Sequence, residues 1–328
     1  MKHINNILRI GLPILLGGAI LWWMYRGFQW QEVWAAIRVD MRWEWMLLSM
    51  PFGILAQVFR GLRWRQMLEP MDERPRRRSC VNAIFLSYGS SLVVPRVGEI
   101  LRCGYLSRYE GTRMSHALGT VVTERVVDVV LILLLTLLTV VWQVPVFVRF
   151  MGRTGMSVQG ILAGFSLTGW LVTAVCAVVV LLMAWYVLRR FHVFDRSRET
   201  LRGLVDGLLS IRDVRRKGLF WFYSVGIWAS YYLHFYLTFY CFSYTEHLGP
   251  MCALVAFVVG TFAVLVPTPN GAGPWHFAVK TVLMLYGVDG NDGAMFVLIV
   301  HTLQTMLVAL LGIVGAMGAM GKANPTNA

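Results

Sequence analysis

Charge is what this sequence has least of: 14% of its residues are Asp, Glu, Lys or Arg, where about a quarter is usual in soluble domains. So few ionised groups exclude an ordinary soluble surface. A hydrophobic fraction of 57% and a mean hydropathy of +0.60 leave the bilayer as the solvent. Cysteine is also sparse. Cys80, Cys103, Cys176, Cys241 and Cys252 form no CxxC pair and no metal-type spacing, so they read as packing residues. Acidic residues are the rarer charges, 17 against 30 Lys and Arg. The excess of +13 does not indicate nucleic acid, because the cations fall in short stretches between apolar runs. That is how cytoplasmic loops look beside the anionic lipids of an inner leaflet.

At roughly 20 apolar residues per crossing, six to eight crossings consume most of the 328 residues, leaving little for a soluble domain. The N-terminal run 10–25 ends on Leu21, Trp22, Trp23, Met24 and Tyr25 with no small-x-small cleavage signature. It is therefore expected to be a first spanning helix with interfacial aromatics. An amphipathic surface stretch is expected over 26–42, and a second span over 43–60, followed by a basic loop holding Arg60, Arg63, Arg65, Arg74 and 76–78. Further spans are expected at 117–142, 161–188, 219–244 and 294–317. A second basic loop, 189–217, carries nine Lys or Arg residues. Leu201, Leu204, Leu208 and Ile211 give it helical amphipathic spacing.

Two regions break the pattern. Residues 81–94 and 98–106 are separated by Pro95-Arg96-Val97-Gly98, and 251–266 and 274–286 by Pro267-Thr268-Pro269-Asn270-Gly271-Ala272-Gly273-Pro274. Fourteen helical residues reach only about 21 Å, short of a core of about 30 Å, so re-entrant helical hairpins are expected. The fold class is then all-α integral membrane: six transmembrane helices plus two re-entrant hairpins, eight hydrophobic units in one polytopic domain spanning 1–328. With both basic loops inside, the N- and C-termini are cytoplasmic and the hairpins enter from opposite sides. That is an inverted repeat. Its halves are 43–142 and 218–318, joined by a span and the basic loop.

Spacing points the same way. Glu99 and Arg125 are 26 positions apart after the first break, and His276 and His301 are 25 apart after the second. Arg63 lies 32 positions before Pro95, and His234 lies 33 before Pro267. Unwound backbone lining a cavity explains both breaks, and a helix restarting at Pro274 offers free N–H groups to an anion. An uncompensated charge in mid-membrane costs about 2.5–3.5 kcal/mol on insertion scales. Glu99, Arg102, Glu124, Arg125, Asp128, His276, Lys280 and His301 must therefore be paired, hydrated or functional. Arg63, Arg96 and Arg102 suit bidentate phosphate binding, with interfacial snorkelling as the other reading. Glu124, Arg125 and Asp128 occupy neighbouring positions on one helix and suit either a site or an interhelical ion-pair network.

Four motifs occur in order: Arg60-x-x-Arg63-Trp64, Pro95-x-x-Gly98-Glu99-x-x-Arg102, Glu124-Arg125-x-x-Asp128 and Pro267-x-Pro269-x-Gly271-x-Gly273. Over about 43–318 the chain thereby resembles the flippase-like membrane proteins related to the transmembrane region of lysylphosphatidylglycerol synthase. The resemblance implies movement of a polar-headgroup lipid between leaflets of a bacterial plasma (inner) membrane. It implies no catalytic residue, no metal and no cofactor, and aminoacylation by this chain alone is not expected, since the aminoacyl-transferase domain of the larger synthases is missing from it. The family pattern has Glu in place of His276 and often Arg in place of His301, so the second hairpin departs from it and could sense protons near neutral pH.

The leading expectation is thus a transporter that binds an anionic phospholipid or polyprenyl-phosphate headgroup. Its site gathers Arg63, Pro95, Arg96, Gly98, Glu99, Arg102, Glu124, Arg125 and Asp128 from the first half. From the second half come Pro267, Pro269, Asn270, Gly271, Gly273, His276, Lys280 and His301. An intramembrane hydrolase or transferase using a metal on His234, His276 and His301 is the rival, though no HExxH-type motif accompanies them. A membrane scaffold docking through the basic loop is the third reading, and the oligomeric state is open, a homo-oligomer included.

Overall fold

The computed structural model describes residues 15, 17–27, 30–94, 97–154, 213–266 and 268–323. The expected span at 161–188, most of the basic loop 189–217, Cys176, and Pro95, Arg96 and Pro267 lie outside them. Among the described residues every regular element is helical. By contacts the chain divides into one compact unit, Met1–Leu133 with Leu204–Ala328, and a second, Leu134–Gly203. Of the second unit, only the helical residues up to Thr154 are described. Everything below concerns the first.

In the first half, α1 (Trp30–Ala35) continues through a π turn (Ala36–Asp40) into α2 (Trp43–Leu68). Val33 and Ala36 turn inward while Trp34 and Val39 stay exposed. After a 3-10 turn come α3 (Arg77–Ser91), α4 (Val97–Glu110) and the long α5 (Met114–Thr154). In the second half, α6 (Lys217–Tyr236) runs into a 3-10 turn (Leu237–Cys241) and a short α7 (Ser243–Glu246). Then come α8 (Gly249–Ala263), α9 (Pro274–Leu285) and α10 (Gly290–Ala323). A long helix, two short ones around a break and another long helix thus occur twice in the same order.

Among the described residues, three stretches are long and apolar enough to cross a membrane: Trp43–Met71, Met114–Gln143 and Gly290–Ala319. Helix α6 is long enough, but its Tyr, Trp, His and Ser residues lower its hydropathy. The short helices α3, α4, α8 and α9, of 15, 14, 15 and 12 residues, rise only about 18–23 Å.

One expectation is corrected here. The second span does not stop at residue 60 in a loop: α2 continues to Leu68, and Arg60 and Arg63 are buried within it. Basic residues were read as a helix end because an unpaired guanidinium cannot stay in an apolar setting. Both are paired, by carboxylates more than 60 positions away.

Each half has its own apolar core. Trp64, Leu68, Cys80, Ile84, Cys103, Leu106 and Val121 pack together in the first. Phe235, Phe239, Phe242, Val279, Phe296 and Val300 do so in the second. Cys80, Cys103, Cys241 and Cys252 are buried in these cores, as packing cysteines should be. The halves meet where α2 lies against α6 and where α3 crosses α10. There a Cβ on Gly89 would lie 2.5 Å from the Cα of Gly312, so the two backbones touch directly. Small residues permit such an approach between membrane helices, where lipid offers no hydrophobic drive for association.

Candidate functional site

Helix α2 presents Arg60 and Arg63 one turn apart, and α5 presents Glu124 and Asp128 at the i,i+4 spacing that stacks side chains on one face. Helix α4 adds Arg102. Arg60 Nη1 donates to Glu124 Oε1 at 2.6 Å and to Asp128 Oδ2 at 2.7 Å. Arg63 Nη2 donates to Asp128 Oδ1 at 2.8 Å, and Arg102 Nη1 to Glu124 Oε2 at 2.9 Å. The five groups form an alternating chain, Arg102–Glu124–Arg60–Asp128–Arg63, with a cation at each end. All five are buried, Arg63 and Glu124 completely.

The two ends differ. Arg63 Nη1 lies 3.4 Å from Ser224 Oγ on α6. Arg102 stacks over the Trp64 indole, its guanidinium carbon 4.7 Å from the ring centroid, and the indole N–H is held by Thr120 Oγ1 at 2.9 Å. Arg102 Nη2 and Nε are buried without a hydrogen-bond partner, as are Nε of Arg60 and Nε of Arg63. A buried charge-bearing donor left unmade costs more than a neutral one, and three guanidinium groups face only two carboxylates. The chain thus carries one cation more than it has carboxylates, and Arg102 is the member with two donors unmade.

Glu99, beside the first break, forms an ion pair with Arg125, 26 positions further on. They stand apart from the buried chain in exposure, with side chains 35% and 49% exposed. Gly98 marks the closest approach of the hairpin arms. A Cβ there would come within 2.0 Å of the Ser87 carbonyl oxygen, a backbone atom that cannot swing away.

The second break is built from residues suited to unusual backbone angles. Pro269–Gly271 makes a 3-10 turn, with Asn270 at φ 51, Gly271 at φ 72 and Gly273 at φ 92 before Pro274 opens α9. Asn270 Nδ2 donates to Thr305 Oγ1 at 2.7 Å, and His301 Nε2 lies 3.1 Å from the Asn270 carbonyl. Thr305 Oγ1 is 3.4 Å from His301 Nδ1. These contacts form a neutral ring. Nε2–H of His301 donates to the carbonyl, leaving Nδ1 to accept from the hydroxyl.

His276 and His301 face one another, ring centroids 4.4 Å apart, at the positions matched to Glu99 and Arg125. No direct hydrogen bond joins the two rings: both nitrogens of His301 have other partners, and Nδ1 of His276 lies 3.4 Å from the Gly273 N–H. Lys280 does not join them. Its stem packs near Gly293 at the start of α10, eight positions and about 12 Å of helical rise before His301. His234 is elsewhere again, its Nδ1 2.8 Å from the Ser49 carbonyl and its ring against Gly53 of α2. Among the described residues no three His, Cys, Asp or Glu side chains are grouped to hold a metal.

Arg60, Trp64, Ser224 and Thr305 belong to these arrangements although sequence reasoning did not select them as site residues. For Arg60 a signal was present: cations at 60 and 63 and carboxylates at 124 and 128 are complementary pairs on two helix faces.

The chain belongs to the family of the lysylphosphatidylglycerol synthase TM region, whose family model matches residues 10–312. Comparison with curated proteins and with solved structures gives no match. An integral membrane protein with a lipid-related role is what this membership and the helices establish.

Proposed function

We propose that this protein is a flippase-like transporter that takes an anionic lipid headgroup, of the phospholipid or polyprenyl-phosphate type, to the Arg102 end of the buried ion chain. The observation that carries the reading is the surplus cation of that chain together with the partnerless Nη2 and Nε of Arg102. Guanidinium bonds phosphate oxygens through two parallel N–H groups, and the Trp64 face holds it flat for that purpose. Glu99, Arg125 and Arg96 stand at or beside the first break, where unwound backbone would line the route. Asn270, His276 and His301 do the same for the second.

The doubled order of long, short, break, short and long helices supports an inverted repeat of six spans and two re-entrant hairpins. In that arrangement both termini are cytoplasmic, the membrane is a bacterial inner membrane, and its anionic lipids lie against the basic loops. The chain would act as a carrier and not as a catalyst.

Proteoliposomes with fluorescent headgroup-matched lipids, quenched from one side, test this directly. Wild-type protein should accelerate exchange of anionic analogues over zwitterionic ones, and Arg102→Gln should slow it by at least about tenfold, the loss of one charge-assisted contact. Equal exchange rates for the folded variant and wild type would remove Arg102 from the site. Native mass spectrometry of gently extracted protein addresses the lipid's identity, and retained zinc would instead favour the metalloenzyme reading.

A further inference from the structure

A second basic cavity, separate from the buried ion chain, lies where the two halves' basic segments converge. Its volume is about 240 Å³. Arg65, Gln66 and Glu69 from the end of α2 and Arg77 from the start of α3 form one side, and Arg215 and Arg216 before α6 form another. Leu62, Leu219 and Tyr223 supply an apolar wall.

The charges are unequal. Arg65 is already committed, its Nε donating to the Pro75 carbonyl at 2.9 Å and its Nη1 pairing with Glu69 at 3.2 Å. No carboxylate among the described residues pairs with Arg77, Arg215 or Arg216, so three guanidinium groups surround an opening whose single acid is taken. Helix α6, 20 residues long, begins at this opening with Arg216 as an N-cap that makes no side-chain cap. Its first N–H groups therefore add a positive dipole end. Independently of these, Gln66 in the cavity wall is 7% exposed and its Oε1 has no hydrogen-bond partner. A buried amide oxygen without a partner is unusual unless something else donates a hydrogen bond to it. An ordinary snorkelling loop would not bury one.

The geometry points to a phosphate-binding site in this cavity. Three guanidinium groups lining the cavity suit a phosphate monoanion, whose P–O–H donates to Gln66 Oε1. The apolar wall of Leu62, Leu219 and Tyr223 accommodates a carbon substituent on the ester. The volume is below that of typical drug-sized pockets and fits a single headgroup-sized moiety. The phosphate can belong to a lipid headgroup or be free in solution, and the chemistry at the cavity is the same.

The test uses the full chain in nanodiscs of phosphatidylcholine. One arm titrates inorganic phosphate by calorimetry, and the other compares discs with and without phosphatidic acid by native mass spectrometry. Binding in the lipid arm alone assigns a headgroup, and binding in the calorimetric arm assigns free phosphate. In either case Arg215→Gln with Arg216→Gln should weaken binding at least about tenfold. Should that double variant fail to fold, Arg77→Gln, on the exposed first turn of α3, carries the same sign at about threefold or more. Arg102→Gln run in parallel separates this cavity from the buried chain. Absence of binding in both arms, unchanged binding in the folded cavity variants, or binding that depends on Arg102 alone would overturn the assignment.

Discussion

The two breaks share an architecture and differ in chemistry. Around the first, three arginines and two carboxylates alternate in a buried chain, and Glu99 and Arg125 form an ion pair. Around the second, the equivalent positions are His276 and His301, and Asn270, Thr305 and His301 close a ring of neutral hydrogen bonds. One hairpin is organised by full charges and the other by dipoles. The two arrangements should therefore tolerate damage differently. Removing one member of a buried ion network strands its partners as unpaired charges, whereas removing one neutral hydrogen bond leaves only weakly polar groups unsatisfied.

The largest expected effect follows from that contrast. Glu124→Leu takes the bond from both Arg60 and Arg102 and should destabilise the protein by about 3–5 kcal/mol, enough to abolish a folded peak in size-exclusion chromatography. Recovery of wild-type thermal stability in that variant would show that the chain is hydrated and not buried. Next comes Gly98→Ala, whose new methyl group meets the Ser87 carbonyl. A loss of about 1–3 kcal/mol is expected, read as a lower unfolding temperature in detergent. Its counterpart, Gly273→Ala, combines a positive φ of 92 with a contact to the Gly17 carbonyl at 2.8 Å. Backbone strain alone is worth about 1–2 kcal/mol there. If Gly273→Ala proves the more damaging of the two, the second hairpin is the tighter one, contrary to the comparison. Smallest is Thr305→Val, which opens the neutral ring and should cost about 1–2 kcal/mol with lipid exchange nearly unchanged. Abolished exchange in this variant would give the ring a role in transport equal to that of the ion chain.

Much of this was legible in the residues. Low charge and long apolar runs gave the membrane class. The Pro- and Gly-rich interruptions marked where α3 gives way to α4 and α8 to α9, because few other residues accept the angles found at Gly271 and Gly273. Glu124 and Asp128 were suspected because their cost demanded partners. Their partner Arg60 was misjudged, since a cation near the end of an apolar run reads as a loop until a carboxylate from a distant helix is seen beside it. For Lys280, i,i+4 proximity to His276 fixes a helix face, not the depth to which a flexible amine reaches. The meeting of Arg77 with Arg215 and Arg216 could not be read at all, because nothing local records which loop ends a fold will bring together.

The alternating order of the ion chain also constrains how the sequence can drift. Each interior member, Glu124, Arg60 or Asp128, pairs with at least two groups of opposite sign, so a single substitution there weakens the bonding of several buried charges at once and favours compensating changes on other helices. Members of the neutral ring can be exchanged one at a time at modest cost. A lineage could therefore retune the second hairpin by single steps while the first stays locked, and a histidine pair opposite a conventional ion pair is the kind of asymmetry such uneven evolvability would leave behind.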